Sequence, residues 1–324
     1  MSAHALGDVP ADVLRSTQPV VLRGLVAHWP MVQAARRSDA EFCDYLRGFG
    51  AAKRLLVWRG SADIGGRFFY NDDLSGFNFE RQRSTLEVVL GELLAGSPDA
   101  LYVGSTEIDA AFPALRRHND LPVLAGFDPI VSLWLGNRIR VAPHFDLPDN
   151  IACVVAGRRR FTLFPPEQVG NLYIGPLDLT PAGQPISLVD QAHPDLDRFP
   201  RYAEALRHAQ VFELEPGDAL FLPSQWWHGV ESLDAVSGLV NFWWRQSPPY
   251  MDTPFNALMM ALLTLRDLPP AQRDAWRALF DHYVFDANAE TAAHIPPAAR
   301  GLLNPISDHG ARQVRALLLS RLNR

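Results

Sequence analysis

The residues with the clearest chemical potential are His144-Phe145-Asp146 and, far downstream, His228 behind Trp226-Trp227. In an extended strand, residues i and i+2 share a face, so His144 and Asp146 would offer an imidazole and a carboxylate side by side. His228 would bring a second imidazole from a distant segment. Two histidines and one carboxylate on one face of an octahedral ion leave the opposite face open. That is the facial triad of non-haem Fe(II) oxygenases, whose open positions receive a cosubstrate and dioxygen. Zinc, manganese or nickel suits the same mixed donor set, which does not distinguish among them.

The surroundings of His228 raise its weight above that of any other of the ten histidines. Residues 211–223 read as strand, tight turn, strand. Pro216-Gly217 suits the central positions of a type II turn, with glycine at positive φ. His228 then follows among bulky aromatics. A polar residue there is expected to be buried and needs a partner, which a metal would be.

The elements that must position these residues follow from periodicity. Residues 130–245 are rich in strand signals, with turns at Gly136-Asn137, Ala156-Gly157 and Pro216-Gly217, as in a double-sheet jelly roll. Upstream, helices and strands mix. Ser38 with Glu41 fits a capping box, followed by Phe42, Tyr45, Leu46 and Phe49 at helical spacing. Ser84 with Glu87 repeats the device ahead of Leu86, Val89, Leu90, Leu93 and Leu94. Residues 54–59, 68–71 and 101–104 read as strands. Residues 170–200 hold many Pro, Gly and Asp without periodicity, and are expected to form an ordered insert beside the mouth of the site. Beyond Pro249 the pattern turns helical, with apolar stripes at Phe255, Leu258, Met259, Leu262 and Leu263, at Trp276, Leu279, Phe280, Tyr283 and Val284, and at Val314, Leu317, Leu318 and Leu322. The division expected is 1–250 for a β-rich domain with an N-terminal α/β extension and 251–324 for a helical region.

Composition narrows the class. A chain of 324 residues that is 48% hydrophobic can bury a sizeable core. A net charge of −6 argues against a broad nucleic-acid footprint. The two cysteines, Cys43 and Cys153, cannot form a disulfide framework and read as reduced thiols of a cytoplasmic protein. The N-terminus lacks the charged and apolar regions of a signal peptide, and no apolar run reaches the length of a membrane span.

The wider pattern resembles the JmjC/cupin-like dioxygenases, particularly their asparaginyl-hydroxylase subgroup. The matching residues are His144 to Asn150, Gly157-Arg158-Arg159-Arg160-Phe161, Leu163-Phe164-Pro165-Pro166, Arg198-Phe199-Pro200, Glu215-Pro216-Gly217-Asp218, Trp226-Trp227-His228 and Val240-Asn241-Phe242-Trp243. Gln18 to Gly24 and His28-Trp29-Pro30 look like the family's opening strand and turn, so the resemblance covers roughly residues 16–245. It implies a double-stranded β-helix, mainly β with flanking helices, holding Fe(II) at His144, Asp146 and His228. It also implies 2-oxoglutarate as cosubstrate, its decarboxylation to succinate and hydroxylation of a protein side chain or small metabolite.

That cosubstrate carries a second carboxylate needing a cation. Arg159 is the candidate, because a regular strand after Gly157 puts it on one face with Phe161 and Leu163, while Arg158 and Arg160 face the other way. The bland alternative leaves all three arginines solvated around a hairpin. The relatives use Lys at this position. Asn150 and Asn241 match family positions that contact the cosubstrate near the metal. Tyr102 matches a Tyr that helps hold the distal carboxylate. Val141 stands where the subgroup has a Thr that donates to the same carboxylate. Trp134, Phe145, Trp226, Trp227, Trp243 and Trp244 would either wall the site or belong to the core. The competing function classes are a cupin that binds metal or ligand without turnover and a metal-dependent isomerase or hydrolase. The expected partners are a peptide, protein or small-molecule substrate and, through the C-terminal helices, a second copy of the chain, with neither nucleic acid nor membrane.

Overall fold

The computed structural model describes residues 9–50 and 54–323; residues 1–8, part of the N-terminal stretch read as lacking a leader, lie outside it. Thirteen strands are present among the described residues: β1 (Val20–Leu22), β2 (Leu55–Gly60), β3 (Arg67–Phe68), β4 (Glu80–Ser84), β5 (Ala100–Glu107), β6 (Ile130–Gly136), β7 (Arg140–His144), β8 (Asp149–Ala156), β9 (Arg159–Phe164), β10 (Gln210–Leu214), β11 (Ala219–Leu222), β12 (Trp227–Ser232) and β13 (Ser237–Trp244). They form two sheets, ordered β1-β11-β8-β13-β6-β5-β2-β4 and β10-β9-β12-β7-β3. Every pairing is antiparallel except β3 with β7. The strands β6 to β13 divide four and four between the sheets, which makes the jelly roll.

The period of two decides what each strand contributes to which side. On β8, Ile151, Cys153 and Val155 join a core with Met31, Val32, Phe42, Leu46, Val89 and Leu90. Those last six come from the helices Pro30–Arg37, Asp39–Arg47 and Leu86–Leu94, which cover the outside of the large sheet. The alternate residues Ala152 and Val154 pack between the sheets with Phe161, Leu163, Leu220 and Leu239. With both faces covered, β8 reads as an almost unbroken apolar run rather than an alternating one. The two cysteines sit in the outer core and form no disulfide.

Local signals mostly act where the sequence puts them. Ser38 Oγ accepts from the Glu41 amide at 3.1 Å. The second cap is displaced by one residue: Ser84 still pairs with Leu55 in the ladder, so Thr85, the first residue to leave it, accepts from the Val88 amide at 3.3 Å. The strand expected over 68–71 is also shorter. After Phe68 the chain leaves the ladder, because the Asn78 side chain accepts from the Phe69 amide and the Asn71 side chain from the Gly76 amide. Tyr70 keeps a single bridge to Phe77. Gly157, at φ +63°, turns the chain from β8 into β9; a Cβ there would lie 2.4 Å from the Val236 carbonyl oxygen. Gly217, at φ +106°, makes the tight turn before β11.

The chain divides into two compact units, Met1–Arg245 and Gln246–Arg324. The second contains the helices Pro254–Thr264, Pro270–Phe280 and Asp308–Leu322. Thr253 caps the first, with Pro254 in its opening turn. Only Ala292 and Ala311 are buried among its described residues, while Leu263, Phe285 and Leu319 are 74%, 74% and 62% exposed. No helix among the described residues is long and apolar enough to cross a membrane.

Candidate metal and anion site

His144 ends β7 and lies directly opposite His228 on β12. Their ring centroids are 4.3 Å apart. Asp146 lies two residues past the end of β7, not in the strand itself. It is held there by the link to β8, where its carbonyl accepts from the Gln225 amide at 2.9 Å. Its Oδ2 stands 3.6 Å from His228 Nε2. One ligand atom from each of His144, Asp146 and His228 lies within 4.8 Å of the others, so the three could hold one metal ion.

Both imidazoles are oriented by backbone. His144 Nδ1 lies 3.0 Å from the Ala142 carbonyl and His228 Nδ1 lies 2.9 Å from that of Trp226. A carbonyl only accepts, so Nδ1 carries the proton and Nε2 keeps its lone pair toward the site. Burial, reinforced by the neighbouring His144, pulls the His228 pKa down to about 4. The ring is therefore neutral around pH 7, the form a metal binds.

Arg159 occupies the opposite, buried end of the same space. It is the first residue of β9 and 2% exposed, on the face shared with Phe161 and Leu163. Its neighbours point outward to acids. Arg158 pairs with Asp234 at 2.9 Å, and Arg160 pairs with Glu213 at 2.7 Å and Glu231 at 3.2 Å. Arg159 has no carboxylate partner among the described residues. Nε donates to Ser237 Oγ at 3.1 Å, and Nη2 is buried without an acceptor. Burial draws its pKa down to about 10, partly offset by the Tyr102 hydroxyl, so it remains a cation near neutrality. A buried charge without a counter-ion is costly and marks a place for an anion.

The remaining candidates line the same cavity. Tyr102 on β5 is buried, and burial pushes its phenol well above the usual range, so it stays an O–H. Its ring stacks on Trp134 at 5.8 Å. Trp134 Nε1 donates to Asn241 Oδ1 at 2.7 Å, which leaves Asn241 Nδ2 buried and without a partner. Asn150 Oδ1 is likewise buried without a donor. All seven candidate residues line one cavity of about 660 Å³, within the range of small-molecule sites. Val141 lines it too and supplies no hydrogen bond from its side chain.

Of the six aromatics considered as walls, only Trp134 and Trp243 line the cavity. Trp244 packs in the outer core, Trp226 packs between the sheets, and Trp227 meets Phe145 in a satellite cluster. Trp226 also donates to the Thr17 carbonyl at 3.0 Å. The insert does reach the site, where residues 180–184 and Ile186 close one side. It is tied down by Arg140 on Asp190 at 2.9 Å and by the Ser187 amide on the Pro143 carbonyl at 2.8 Å. Sequence reasoning missed Ser237, Arg81, Trp58 and Phe68. A serine opposite a turn gives no signal. The other three sit on strands outside the jelly roll, whose pairing pattern reading does not predict.

Comparison with known proteins fits this geometry. Human HSPB1-associated protein 1 is 40% identical over 114 residues, 35% of this chain and 23% of that protein. The lysine-specific demethylase JMJ31 of Arabidopsis thaliana is 33% identical over 129 residues, 38% of this chain and 23% of that protein. The Jumonji C domain-containing protein 5 of Drosophila melanogaster is 27% identical over 254 residues, 76% of this chain and 59% of that protein. The chain thus spans less than a quarter of the length of the first two. The family described as a cupin-like domain matches residues 7–250. With most of its length matched and relatives among the Jumonji C proteins, this chain belongs to the cupin-like domain family.

Proposed function

We propose that this protein is an Fe(II)- and 2-oxoglutarate-dependent oxygenase that hydroxylates a protein side chain or a small metabolite. The observation that carries the reading is Arg159, a buried cation with an unpaired nitrogen and no acid, facing the cavity that contains the His144-Asp146-His228 cluster. The donor set and the cation fit a metal ion and a dicarboxylate, respectively. Bound together, iron and 2-oxoglutarate would supply an oxidant for a C–H bond, with succinate and carbon dioxide as coproducts. The protein contributes position. His144, Asp146 and His228 would hold the metal through one face. Arg159 and the Tyr102 hydroxyl would hold the distal carboxylate. The amide of Asn241, fixed by Trp134, offers a donor beside them. The apolar walls of Ala152, Phe161, Leu222 and Leu239 keep water from the base.

Lysine demethylation, for which the JMJ31 relative is named, is not favoured for this chain. No carboxylate other than Asp146 lines the cavity among the described residues, so a lysine side chain would find no counter-ion there.

The test is release of succinate from 2-oxoglutarate on addition of Fe(II) and ascorbate, beside calorimetric binding of 2-oxoglutarate to the Zn(II)-loaded protein. Binding together with succinate release is expected. Metal binding without 2-oxoglutarate binding would leave a metal-binding cupin of another kind.

We further propose that the chain pairs with a second copy through residues 252–324 and works in the cytoplasm. The exposed apolar side chains of the C-terminal helices support pairing, since closed two-fold dimers are the commonest way to cover such faces. Two buried free thiols suit a reducing compartment. Light scattering at tens of micromolar should give a dimer mass. A monomer mass, or a dimer that persists after residues 252–324 are deleted, would overturn this assembly.

A further inference from the structure

The cavity carries two guanidinium groups, and the oxygenase reading uses only one. Arg159 lies at the buried end, whereas Arg81 lies on β4, at the edge of the large sheet, and is exposed. Arg81 sits directly across the ladder from Trp58. Its guanidinium carbon is 5.0 Å from the Trp58 ring, 5.6 Å from Phe77 and 5.7 Å from Phe79. Trp58 and Phe79 are themselves stacked, 5.0 Å apart and 10° from parallel. Nη2 donates to the Pro181 carbonyl in the insert. A guanidinium has five N–H donors, and Arg81 makes no ion pair among the described residues. Of the nearby arginines, Arg59 pairs with Glu92 at 2.6 Å and Arg67 packs on Phe69 at 3.6 Å, while Arg83, which does not line the cavity, donates to the Arg54 carbonyl at 3.5 Å.

The charge of the wall is therefore one-sided. Its single carboxylate among the described residues, Asp146, belongs to the metal cluster. Leu56, Trp58 and Phe68 give the cavity an apolar and aromatic wall, with Trp58 directly across the ladder from Arg81. Arg81 lies beside the stacked Trp58 and Phe79 rings, so a cationic guest approaching them meets a positive charge. Three aromatic rings within 6 Å and the Pro181 carbonyl hold the guanidinium in place, which leaves its other donors for an anion.

Resting on the oxygenase reading, we propose that Arg81 is a substrate-anion subsite at the mouth of the cavity. The substrate has an apolar body that packs on Trp58 and Phe68, and it ends in a carboxylate or phosphate that pairs with Arg81. Its reacting carbon lies on the metal side. Cationic substrates are selected against by the same charge.

Three probes with one phenylpropyl body separate the possibilities: 3-phenylpropanoate, 3-phenylpropyl phosphate and 3-phenylpropylamine. Binding is read by Trp fluorescence and calorimetry on full-length protein loaded with Zn(II) and saturating 2-oxoglutarate. The anions should bind at least tenfold more tightly than the amine, and the tighter anion identifies the group. Arg81→Gln should bring all three within about twofold while 2-oxoglutarate affinity stays unchanged; Arg81→Lys should keep part of the preference, as a charge without a stacking plane. Equal binding of the three probes to the wild type, or a preference that survives Arg81→Gln, overturns the subsite. Loss of 2-oxoglutarate binding in Arg81→Gln overturns its placement outside the cosubstrate anchor. Failure of the wild type to bind 2-oxoglutarate sinks the oxygenase reading and this one with it, whereas intact 2-oxoglutarate binding without anion preference sinks this one alone.

Discussion

The two ends of the cavity are prepared in opposite ways. At the metal end, both imidazoles have Nδ1 bonded to backbone carbonyls, and only the lone pairs facing the site remain. At the anchor end, Arg159 Nη2 is buried without a partner, and so are Asn241 Nδ2 and Asn150 Oδ1 farther along the same cavity. The first end is finished as protein: its geometry is set by strand pairing and needs only an ion. The second is built around a guest that brings its own oxygens. A polar atom left bare in a core is normally a defect costing about 1–3 kcal/mol. Three such atoms in one cavity, close to a metal cluster, amount to a binding site.

The contrast can be broken by substitution, and the largest effect belongs to the metal end. His144→Ala together with Asp146→Ala should abolish stoichiometric metal retention. Changes to residues that merely support ligands already cost about 10–100-fold in affinity, so losing two ligands should exceed that. The circular dichroism of the fold should stay close to wild type. Undiminished metal content after dialysis would show that the ion sits elsewhere.

A smaller and more selective effect is expected at the anchor end. Arg159→Ala should weaken 2-oxoglutarate binding about tenfold or more, since hydrogen bonds to charged groups contribute about 1.5–3 kcal/mol. Metal content should not change. Arg158→Ala and Arg160→Ala should leave that affinity within about twofold, because both side chains meet acids on the outer face. Equal losses at all three positions would remove the distinction between inward and outward arginines.

The smallest effect tests how the anchor end is oriented. Trp134→Phe keeps the aromatic wall but deletes the donor that fixes Asn241. One neutral hydrogen bond, about 1 kcal/mol, corresponds to about fivefold weaker 2-oxoglutarate binding. No change at all would mean that Asn241 does not meet the cosubstrate.

Much of this was legible in the residues. The turn at Gly157 followed by alternation through Arg159, Phe161 and Leu163 was enough to put one arginine of three inside. The proximity of His144 and Asp146 was read from strand parity, although Asp146 lies past the strand end and owes its position to the link with β8. The Trp residues were harder. Trp226, Trp227 and Trp244 are as aromatic as Trp134, and only the stacking order of sheets and helices decides which face each meets. Arg81 was invisible for a related reason. Its neighbours in sequence, Glu80, Gln82 and Arg83, suggest a plain solvated strand, and its meaning comes from Trp58, which sequence distance hides. Caps were limited by register: Ser84 has the chemistry of a cap, but the ladder keeps its backbone until Thr85 is free.

Gly157 also has a bearing on how the site could fail. Arg158, Arg159 and Arg160 are chemically identical, so if β9 slipped by one residue an arginine would still enter the cavity. Charge therefore cannot tell the right alignment from the wrong one. What tells them apart is bulk: the slip would expel Phe161 and Leu163 from the inner face, and a side chain at Gly157 would strike the Val236 carbonyl and disturb the turn that sets where β9 begins. The glycine is the index mark of the strand, and a protein that lost it could keep its positive charge in place and still misplace its anchor.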